Sequence, residues 1–203
     1  MGDFGIAITA EPIDRNKIRK DAYMIREKLG LKNQPFFPIM KHLELVLFEI
    51  DPLFYVQVVE EHELKGRFAE ALPNDHLIRV KRSVYDAACA DHPWARIIMA
   101  HELAHYMYHP LENMAYAKAD RSEQVPVNFN PEYQADMFAA ELLMPLNLIK
   151  NMRLDQVMRQ CAVTKKAAAN QLKHANQILN KHNKKVQKRH AKKEKTARLA
   201  PYR

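Results

Sequence analysis

The sequence predicts an α+β fold in which helices pack on a small antiparallel sheet. Of the 203 residues, 47% are hydrophobic and 28% are charged, a balance that excludes a disordered polyelectrolyte and favours a packed core. Several stretches place apolar residues at helical spacing, whereas residues 55–80 contain short runs that are typical of strands. The four glycines are too few and too scattered for a phosphate-binding loop, which excludes nucleotide chemistry of that kind.

Helices are predicted for the N-terminal part of the chain. Asp14 can cap a first helix whose apolar residues share one face, and Gly30 is expected to end it. A second helix is predicted to begin at Pro38, after the Pro-Phe-Phe-Pro break, and to run through Leu43 and Leu47. These helices supply apolar faces that can cover one side of a sheet.

A small antiparallel sheet is predicted to follow. Residues 55–59 are rich in β-branched and aromatic side chains, so we expect them to form a strand. Residues 67–72 and 76–80 are predicted to pair as a hairpin, because Pro73-Asn74-Asp75 between them has the composition of a turn.

Two further helices are predicted beyond this sheet. The first begins at Pro93, and five of its residues share a broad face: Trp94, Ile97, Ile98, His101 and His105. The second begins at Asn130-Pro131, with asparagine as the cap and proline in the first turn, and Pro145 is expected to stop it.

The C-terminal third divides into two segments of different composition. Residues 146–179 are expected to be helical, with Thr164 as a cap. Residues 180–203 hold ten lysine or arginine residues against Glu194 alone, so this tail carries +9 and the remainder is near neutral. Such a tail has little apolar surface to bury and is expected to be disordered or loosely helical. The predicted units are therefore 1–145, 146–179 and 180–203.

The sequence also bears on location. No stretch reaches the ~20 apolar residues that a membrane-spanning helix needs, and the N-terminus lacks the basic and apolar blocks of a signal peptide. We therefore expect a cytoplasmic protein with no membrane partner. Cys89 and Cys161 are too few for a disulfide scaffold, and we expect them to be free thiols.

The candidate chemistry lies in the sequence His101-Glu102-Leu103-Ala104-His105. On a helix the two histidines are one turn apart, so both imidazoles can reach one metal ion, while Glu102 projects beside it to take a proton from water. The alternative is a polar helix face with unrelated histidines, but the apolar run before the motif predicts a buried helix, where unpaired histidines would be costly.

Two histidines and a water leave a tetrahedral zinc ion one protein ligand short. His109 would lie about 12 Å from His101 along a straight helix, too far to share the ion, so we interpret it as a structural or supporting residue. Glu132, in the first turn of the later helix, is the better third ligand, and Asp136 one turn on can hold a ligand imidazole. The alternative for Glu132 is a carboxylate that stabilises the helix dipole.

These residues carry a resemblance to a known family. The motif at 101–105, His109-Pro110, and the stretch from Glu132 to Pro145 (EYQADMFAAELLMP) resemble the ImmA/IrrE family of metallopeptidases. The resemblance implies a zincin-like fold with a helix-turn-helix-like end, in which Cys161-Ala162-Val163-Thr164 forms the turn. It implies one Zn²⁺ per chain on His101, His105 and Glu132, with Glu102 as general base.

The resemblance also implies a function. Characterised relatives are regulatory endopeptidases that cut helix-turn-helix repressors in stress, DNA-damage or mobile-element responses, so a repressor is the expected substrate. The +9 charge of the tail makes single-stranded DNA a candidate activator that binds there through its phosphates. The competing hypothesis is a non-enzymatic, metal-stabilised adaptor whose tail binds nucleic acid. The candidate phosphate-binding residues are basic and share the tail: Lys184, Lys185, Lys188, Arg189, Lys192 and Lys193.

Three minor hypotheses concern the cleft and the C-terminal helices. Cys89 could be an inhibitory zinc ligand carried on a short loop, the alternative being a small buried apolar residue. The residue that stabilises the oxyanion stays open among the tyrosines Tyr106, Tyr108 and Tyr133. The helix-turn-helix-like segment could bind DNA or pack against the catalytic domain, and its candidate groove contacts are Gln160, Lys165, Lys166 and Lys173.

Overall fold

The computed structural model describes residues 4–111, 114–120 and 126–198, and it has the predicted α+β class. The strands are β1 (Phe4–Ala10), β2 (Tyr55–Val59), β3 (Ala69–Leu72), β4 (Leu77–Lys81) and β5 (Met114–Asp120). The N-terminal helices are α1 (Arg15–Lys28), α2 (Ile39–Lys41), α3 (Leu47–Ile50) and α4 (Arg82–Cys89). The later helices are α5 (Pro93–Tyr108), α6 (Pro131–Leu143), α7 (Leu146–Ile149), α8 (Leu154–Cys161) and α9 (Lys165–Arg198).

The main sheet has the order β2-β4-β3 and is mixed, not antiparallel as predicted. The hairpin prediction is confirmed, because β3 pairs antiparallel with β4 across the turn at Pro73–Asp75. The prediction for β2 is wrong, since β2 runs parallel to β4 with Tyr55 opposite Leu77. The most buried strand, β4, lies at the centre, and the connection through residues 60–68 carries the chain past it, so that β2 lies on its far edge.

A second sheet, which the sequence analysis missed, consists of β1 and β5. The two strands pair antiparallel, with Phe4 opposite Asp120 and Ala10 opposite Met114. Alanine, which is depleted in strands, contributes five of the fourteen residues of this pair, so the sequence pattern is weak. This ribbon joins the start of the chain to the segment between α5 and α6.

The N-terminal helices confirm the predicted boundaries and add one irregular turn. Asp14 caps α1 by accepting a hydrogen bond from the backbone N–H of Asn16 at 2.6 Å, and Gly30 ends the helix with a φ of 70° that favours glycine. The second predicted helix consists of α2 and α3 joined by a π-helical turn over His42–Val46. That turn buries Leu43 and His42 together.

The core is built around α5, whose inner face is fully buried and packs on α6. Two buried arginines, Arg26 and Arg96, join distant parts of the chain to this core. Arg26 of α1 donates to the backbone carbonyl of Leu142 in α6, and Arg96 of α5 donates to the carbonyls of Phe37 and Ala162. These bonds fix the end of α1, the loop before α2 and the turn before α9 around the helix that carries the motif.

The C-terminal helices contribute to the same core. Four residues of α8, α9 and the turn between them are buried within it: Val157, Cys161, Val163 and Ala168. The helix-turn-helix-like segment thus packs against the rest of the chain, which was one of its two predicted roles. Thr164 caps α9 as predicted, because its Oγ1 accepts from the N–H of Ala167 at 3.3 Å.

The structure differs from the expectation of a disordered tail. The backbone of α9 stays helical through Arg198, and residues 199–203 lie outside the described part of the chain. Lysine, arginine, glutamine and alanine are good helix formers, and no glycine or proline interrupts the segment, so a helix that starts in the core can continue outward. Among the described residues, no helix combines the length and the apolar character needed to cross a bilayer.

Candidate metal centre and cleft

A cleft of about 980 Å³ lies between β3, one face of α5 and the start of α6. Its polar end contains the residues that the sequence analysis singled out: His101, Glu102, His105, His109, Glu132 and Asp136. Its apolar end contains Phe68, Ile97 and Ile98, and the ring of Phe68 lies 6.1 Å from that of Trp94. The cleft is therefore lined by charged groups, among them the histidine cluster, and by apolar side chains of β3 and α5 and the residues next to them.

Three side chains converge at the polar end. The Nε2 atoms of His101 and His105 lie 2.9 Å apart, and the Glu132 carboxylate oxygens lie 3.3 Å from His101 Nε2 and 3.4 Å from His105 Nε2. A tetrahedral zinc ion with bonds of about 2.0–2.1 Å separates its ligand atoms by about 3.3 Å. The donor set and its spacing therefore fit such an ion, and these three residues could hold one.

The cap of α6 places Glu132 at this centre. Asn130 accepts hydrogen bonds from the backbone N–H groups of Glu132 and Tyr133 at 2.9 and 3.2 Å, and Pro131 is buried beneath the first turn. The first turn is thus fixed on the core while the Glu132 carboxylate stays exposed to the cleft. One turn later, Asp136 accepts from His101 Nδ1 at 3.0 Å, which orients the ring so that Nε2 of His101 faces the centre.

His105 is held from the other side by a buried chain of neutral groups. Its Nδ1 lies 2.8 Å from Nδ1 of His109, and Nε2 of His109 lies 2.8 Å from Oε1 of Gln134. The position of His109 next to a ligand imidazole agrees with its interpretation as a supporting residue. Gln134 was not predicted from the sequence, although a glutamine on the largely apolar inner face of α6 is the signal that could have pointed to it.

Glu102 lies against the sheet beside the centre. Its carboxylate accepts a hydrogen bond from the backbone N–H of Ala71 in β3. Burial raises the pKa of Glu102, and the attraction of His105 and His101 partly opposes that rise. A carboxylate with an elevated pKa next to a candidate metal centre is suited to accept a proton from water and to release it again.

Opposite charges dominate the electrostatics of the centre. A hydrogen bond from His101, together with the adjacent imidazole of His105, holds the pKa of Glu132 well below its usual range. Burial works against protonation of His101, yet Asp136 and Glu132 raise its pKa to about 9. Burial lowers the pKa of His109 to about 4, so this ring is neutral near pH 7. The carboxylates Glu132 and Asp136 thus provide negative charge that a cation can balance.

Two of the three candidate oxyanion tyrosines have partners elsewhere. Tyr106 donates its hydroxyl to Asp51, and Tyr108 donates to Asp21 at 3.0 Å. Tyr133 is not among the residues that line the cleft. The structure therefore gives no support to a tyrosine of this set as the group that stabilises an oxyanion.

Cys89 does not lie on a loop near the centre. It is the last residue of α4, which the sequence analysis did not predict, and its thiol hydrogen-bonds with Tyr85. It is absent from the residues that line the cleft, because the helix leaves only residues 90–92 to connect α4 with α5. The structure therefore gives no support to Cys89 as an inhibitory ligand.

The candidate nucleic-acid residues belong to α9, away from the described cleft. Lys188 is exposed, whereas the side chains of Lys184, Lys185, Arg189, Lys192 and Lys193 lie outside the described part of the structure. Gln160, Lys165, Lys166 and Lys173 are all exposed on α8 and α9.

Comparisons with known proteins agree with this geometry. The sequence model of the IrrE N-terminal-like domain matches residues 67–173, which contain β3, the motif helix and α6. A solved structure of a Mycobacterium tuberculosis transcriptional regulator is similar to the chain, with a TM-score of 0.50 and 12% identity over 75% of this chain and 45% of that one. The chain thus spans less than half the length of that regulator. The search of curated proteins finds no match.

Proposed function

The chain belongs to the IrrE N-terminal-like family of metallopeptidases, and from this premise we propose that it is a zinc-dependent endopeptidase that cleaves a helix-turn-helix transcriptional repressor. The observation that carries the proposal is the convergence of His101, His105 and Glu132 beside the carboxylate of Glu102. We place the cleavage in a stress, DNA-damage or mobile-element response, as the resemblance to ImmA/IrrE peptidases implies.

His101, His105 and Glu132 would hold the ion in the proposed enzyme. Zinc supplies a Lewis acid that activates water and polarises the scissile carbonyl. Other side chains of the protein orient the two imidazoles. Asp136 holds the ring of His101 by its Nδ1–H, and the buried ring of His109 faces Nδ1 of His105, so that both Nε2 atoms are directed at one point.

Glu102 is the proposed general base. It takes a proton from the attacking water and later delivers that proton to the nitrogen of the departing amine. The hydrogen bond from the Ala71 backbone N–H holds the carboxylate at the cleft wall while burial raises its pKa. Both features keep the group close to the reacting atoms and able to exchange the proton in both directions.

Strand β3 offers a docking edge for an extended peptide. Within the described residues β3 pairs with β4 alone, and its residues line the cleft beside Glu102. An unpaired edge can add a peptide strand through backbone hydrogen bonds, which bind an extended segment with little dependence on sequence. Phe68, at the apolar end, would add a contact for a hydrophobic side chain next to the scissile bond.

Selectivity for a repressor then requires contacts beyond the cleft. Binding energy from remote contacts can position one peptide bond at the catalytic groups. The exposed faces of α8 and α9 are available for such contacts, since only their inner faces contribute to the core. We therefore expect one cut in an exposed segment of one repressor.

The proposal is tested by co-expression with a repressor encoded by a neighbouring gene. The wild-type chain should produce a single new terminus by intact mass, and Glu102→Gln, as the matched control, should leave the repressor whole. Equal digestion of casein and repressor would contradict dedicated recognition. Failure to cleave any neighbouring repressor while zinc is bound would favour the alternative of a non-enzymatic adaptor that binds nucleic acid.

A further inference from the structure

We propose that Gln134, acting through His109, fixes the tautomer of His105 that leaves Nε2 free for the metal ion. Gln134 is thereby a positioning residue of the centre, on a fully buried part of α6. This inference rests on the metal site of the proposed function, but it concerns residues that do not bind the ion themselves.

The orientation of the Gln134 amide is determined by its surroundings. Its Nε2 lies 2.8 Å from the backbone carbonyl of Glu11 and 2.7 Å from that of Asn128. Carbonyl oxygens can only accept, so the NH₂ group must face them and both of its protons are used. The remaining atom, Oε1, must therefore face His109, where it can only accept.

This orientation determines the protons along the whole chain of groups. Because Oε1 of Gln134 accepts, Nε2 of His109 must carry a proton. A neutral imidazole has one N–H, so Nδ1 of His109 holds a lone pair and accepts from Nδ1–H of His105 at 2.8 Å. His105 in turn has no proton on Nε2, which is the atom that faces His101 and Glu132.

A neutral chain of this kind differs from the arrangement at the other ligand histidine. His101 is oriented by Asp136, whose carboxylate is largely exposed to water. A second carboxylate at the buried position of Gln134 would add a charge where no water can solvate it. The glutamine orients His105 without that cost, since its amide satisfies two backbone carbonyls and one imidazole at once.

The same amide connects the metal centre to two chain segments. Glu11 lies between β1 and α1, and Asn128 lies in the turn before α6. The two segments also bond directly, because the N–H of Ile13 donates to the Asn128 carbonyl at 3.2 Å. Removal of the Gln134 amide would therefore leave the tautomer of His105 undetermined. It would also remove the two hydrogen bonds that hold the segment before α1 and the turn before α6 together.

The first measurement is ¹⁵N NMR of the histidine rings in the metal-free full chain. We expect His105 as the Nδ1–H tautomer and His109 as the Nε2–H tautomer, with assignments taken from single histidine variants. In Gln134→Leu the His109 and His105 rings should lose this preference. A wild-type His105 that carries its proton on Nε2 would overturn the proposal, whatever the variants do.

The second measurement is zinc affinity by competition with a chelating dye. Gln134→Leu and His109→Leu should bind zinc about 10–100-fold more weakly than the wild type, as is usual for groups that orient metal ligands. His109→Gln should recover most of the affinity, because its amide can accept from His105 and donate to Gln134. The matched control is Gln171→Leu, which removes another buried glutamine, one that bonds to Arg15 and the Met144 carbonyl.

The outcomes separate this inference from the proposed function. Folded Gln134→Leu and His109→Leu with wild-type zinc affinity would refute the positioning role and leave the peptidase proposal intact. An equal loss of affinity in Gln171→Leu would reduce the effect to general destabilisation and also refute it. A wild-type chain that binds no zinc would contradict the proposed function, while the NMR measurement would still test the tautomer chain.

Discussion

Buried histidines in this chain differ in whether both ring nitrogens find partners. Both nitrogens of His109 are paired, whereas Nδ1 of His42 has no hydrogen-bond partner among the residues that the structure describes. His42 is 4% exposed and its ring meets the edge of Phe37. Burial lowers the pKa of His42 to about 4, because the protonated ring would have to be solvated inside the core.

His42 should make the stability of the protein fall in acid. Its pKa is lower in the folded than in the unfolded chain, so its contribution is complete above pH ~6.5 and is lost as the pH falls towards 4. The loss should reach about 3 kcal/mol, and His42→Leu should remove that part of the pH dependence. Urea unfolding of both proteins at pH 7 and 4.5 measures it, and identical pH dependence in the two would contradict the prediction.

Helix α6 is joined to α1 and α9 by one buried carboxylate. Glu141, whose side chain is fully buried, pairs with Arg15 at 3.3 Å and with Arg19 at 3.2 Å, and both guanidinium groups are partly exposed. Arg15 also donates to Gln171 of α9 at 3.1 Å. The cluster fixes the helix that carries Glu132 against the N- and C-terminal helices.

Removal of this carboxylate should destabilise the protein measurably. Glu141→Gln should cost about 2–3 kcal/mol, less than the ~3–5 kcal/mol of a fully buried pair, because the two arginines keep contact with water. Asp155→Asn is the matched control, since Asp155 pairs with Arg153 and Arg159 on the exposed face of α8 and should cost less than ~1 kcal/mol. Chemical denaturation compares them, and equal costs would argue against the stabilising role of Glu141.

Local signals were sufficient for the elements that position the centre. Asp14, Pro93, Asn130 and Thr164 are capping or first-turn residues, and the helices begin where their chemistry predicts. Strand pairing could not be read in this way, because the direction of β2 depends on contacts with β4 that are distant in sequence. Similarly, α4 was not predicted, because Lys81 at its N-cap makes no side-chain capping bond. As a result Cys89 was assigned to a loop.

The geometry of the three candidate ligands was predictable from the sequence, whereas that of the residues that orient them was not. His101 and His105 are one turn apart within a single helix, and Glu132 is fixed by the cap of α6. Residues that are close in the sequence therefore determine their positions. Gln134 reaches carbonyls in segments near residues 11 and 128, and no local pattern records those contacts. For the same reason, the sequence could not show that Tyr106 and Tyr108 have other hydrogen-bond partners, because Asp51 and Asp21 lie far away in the sequence.

At the scale of the whole molecule, positive charge is concentrated in the C-terminal segment. The excess of lysine and arginine lies beyond residue 179, on the outer part of α9, while the rest of the chain is near neutral. Composition alone revealed this division. The sequence left a disordered and a loosely helical segment as alternatives, because propensity is a weak guide when a helix is extended from a packed core.

The outer part of α9 should bind nucleic acid through phosphates. A fluorescent single-stranded oligonucleotide should bind the full chain with an affinity that falls steeply with salt, since each neutralised phosphate releases counterions. A chain that ends at Leu179 should lose most of this binding and keep its zinc. Equal binding by the truncated chain, or binding that is insensitive to salt, would exclude the segment as the site.

In the proposed centre, His101, His105 and Glu132 bind one zinc ion beside a general base, Glu102, that is not a ligand. Elemental analysis of the wild type, Glu102→Gln and Glu132→Ala tests it most directly. We expect about one zinc per chain in the wild type and in Glu102→Gln, and little in Glu132→Ala, because only the last substitution removes a ligand. Loss of zinc from Glu102→Gln, or full retention in Glu132→Ala, would contradict the assignment.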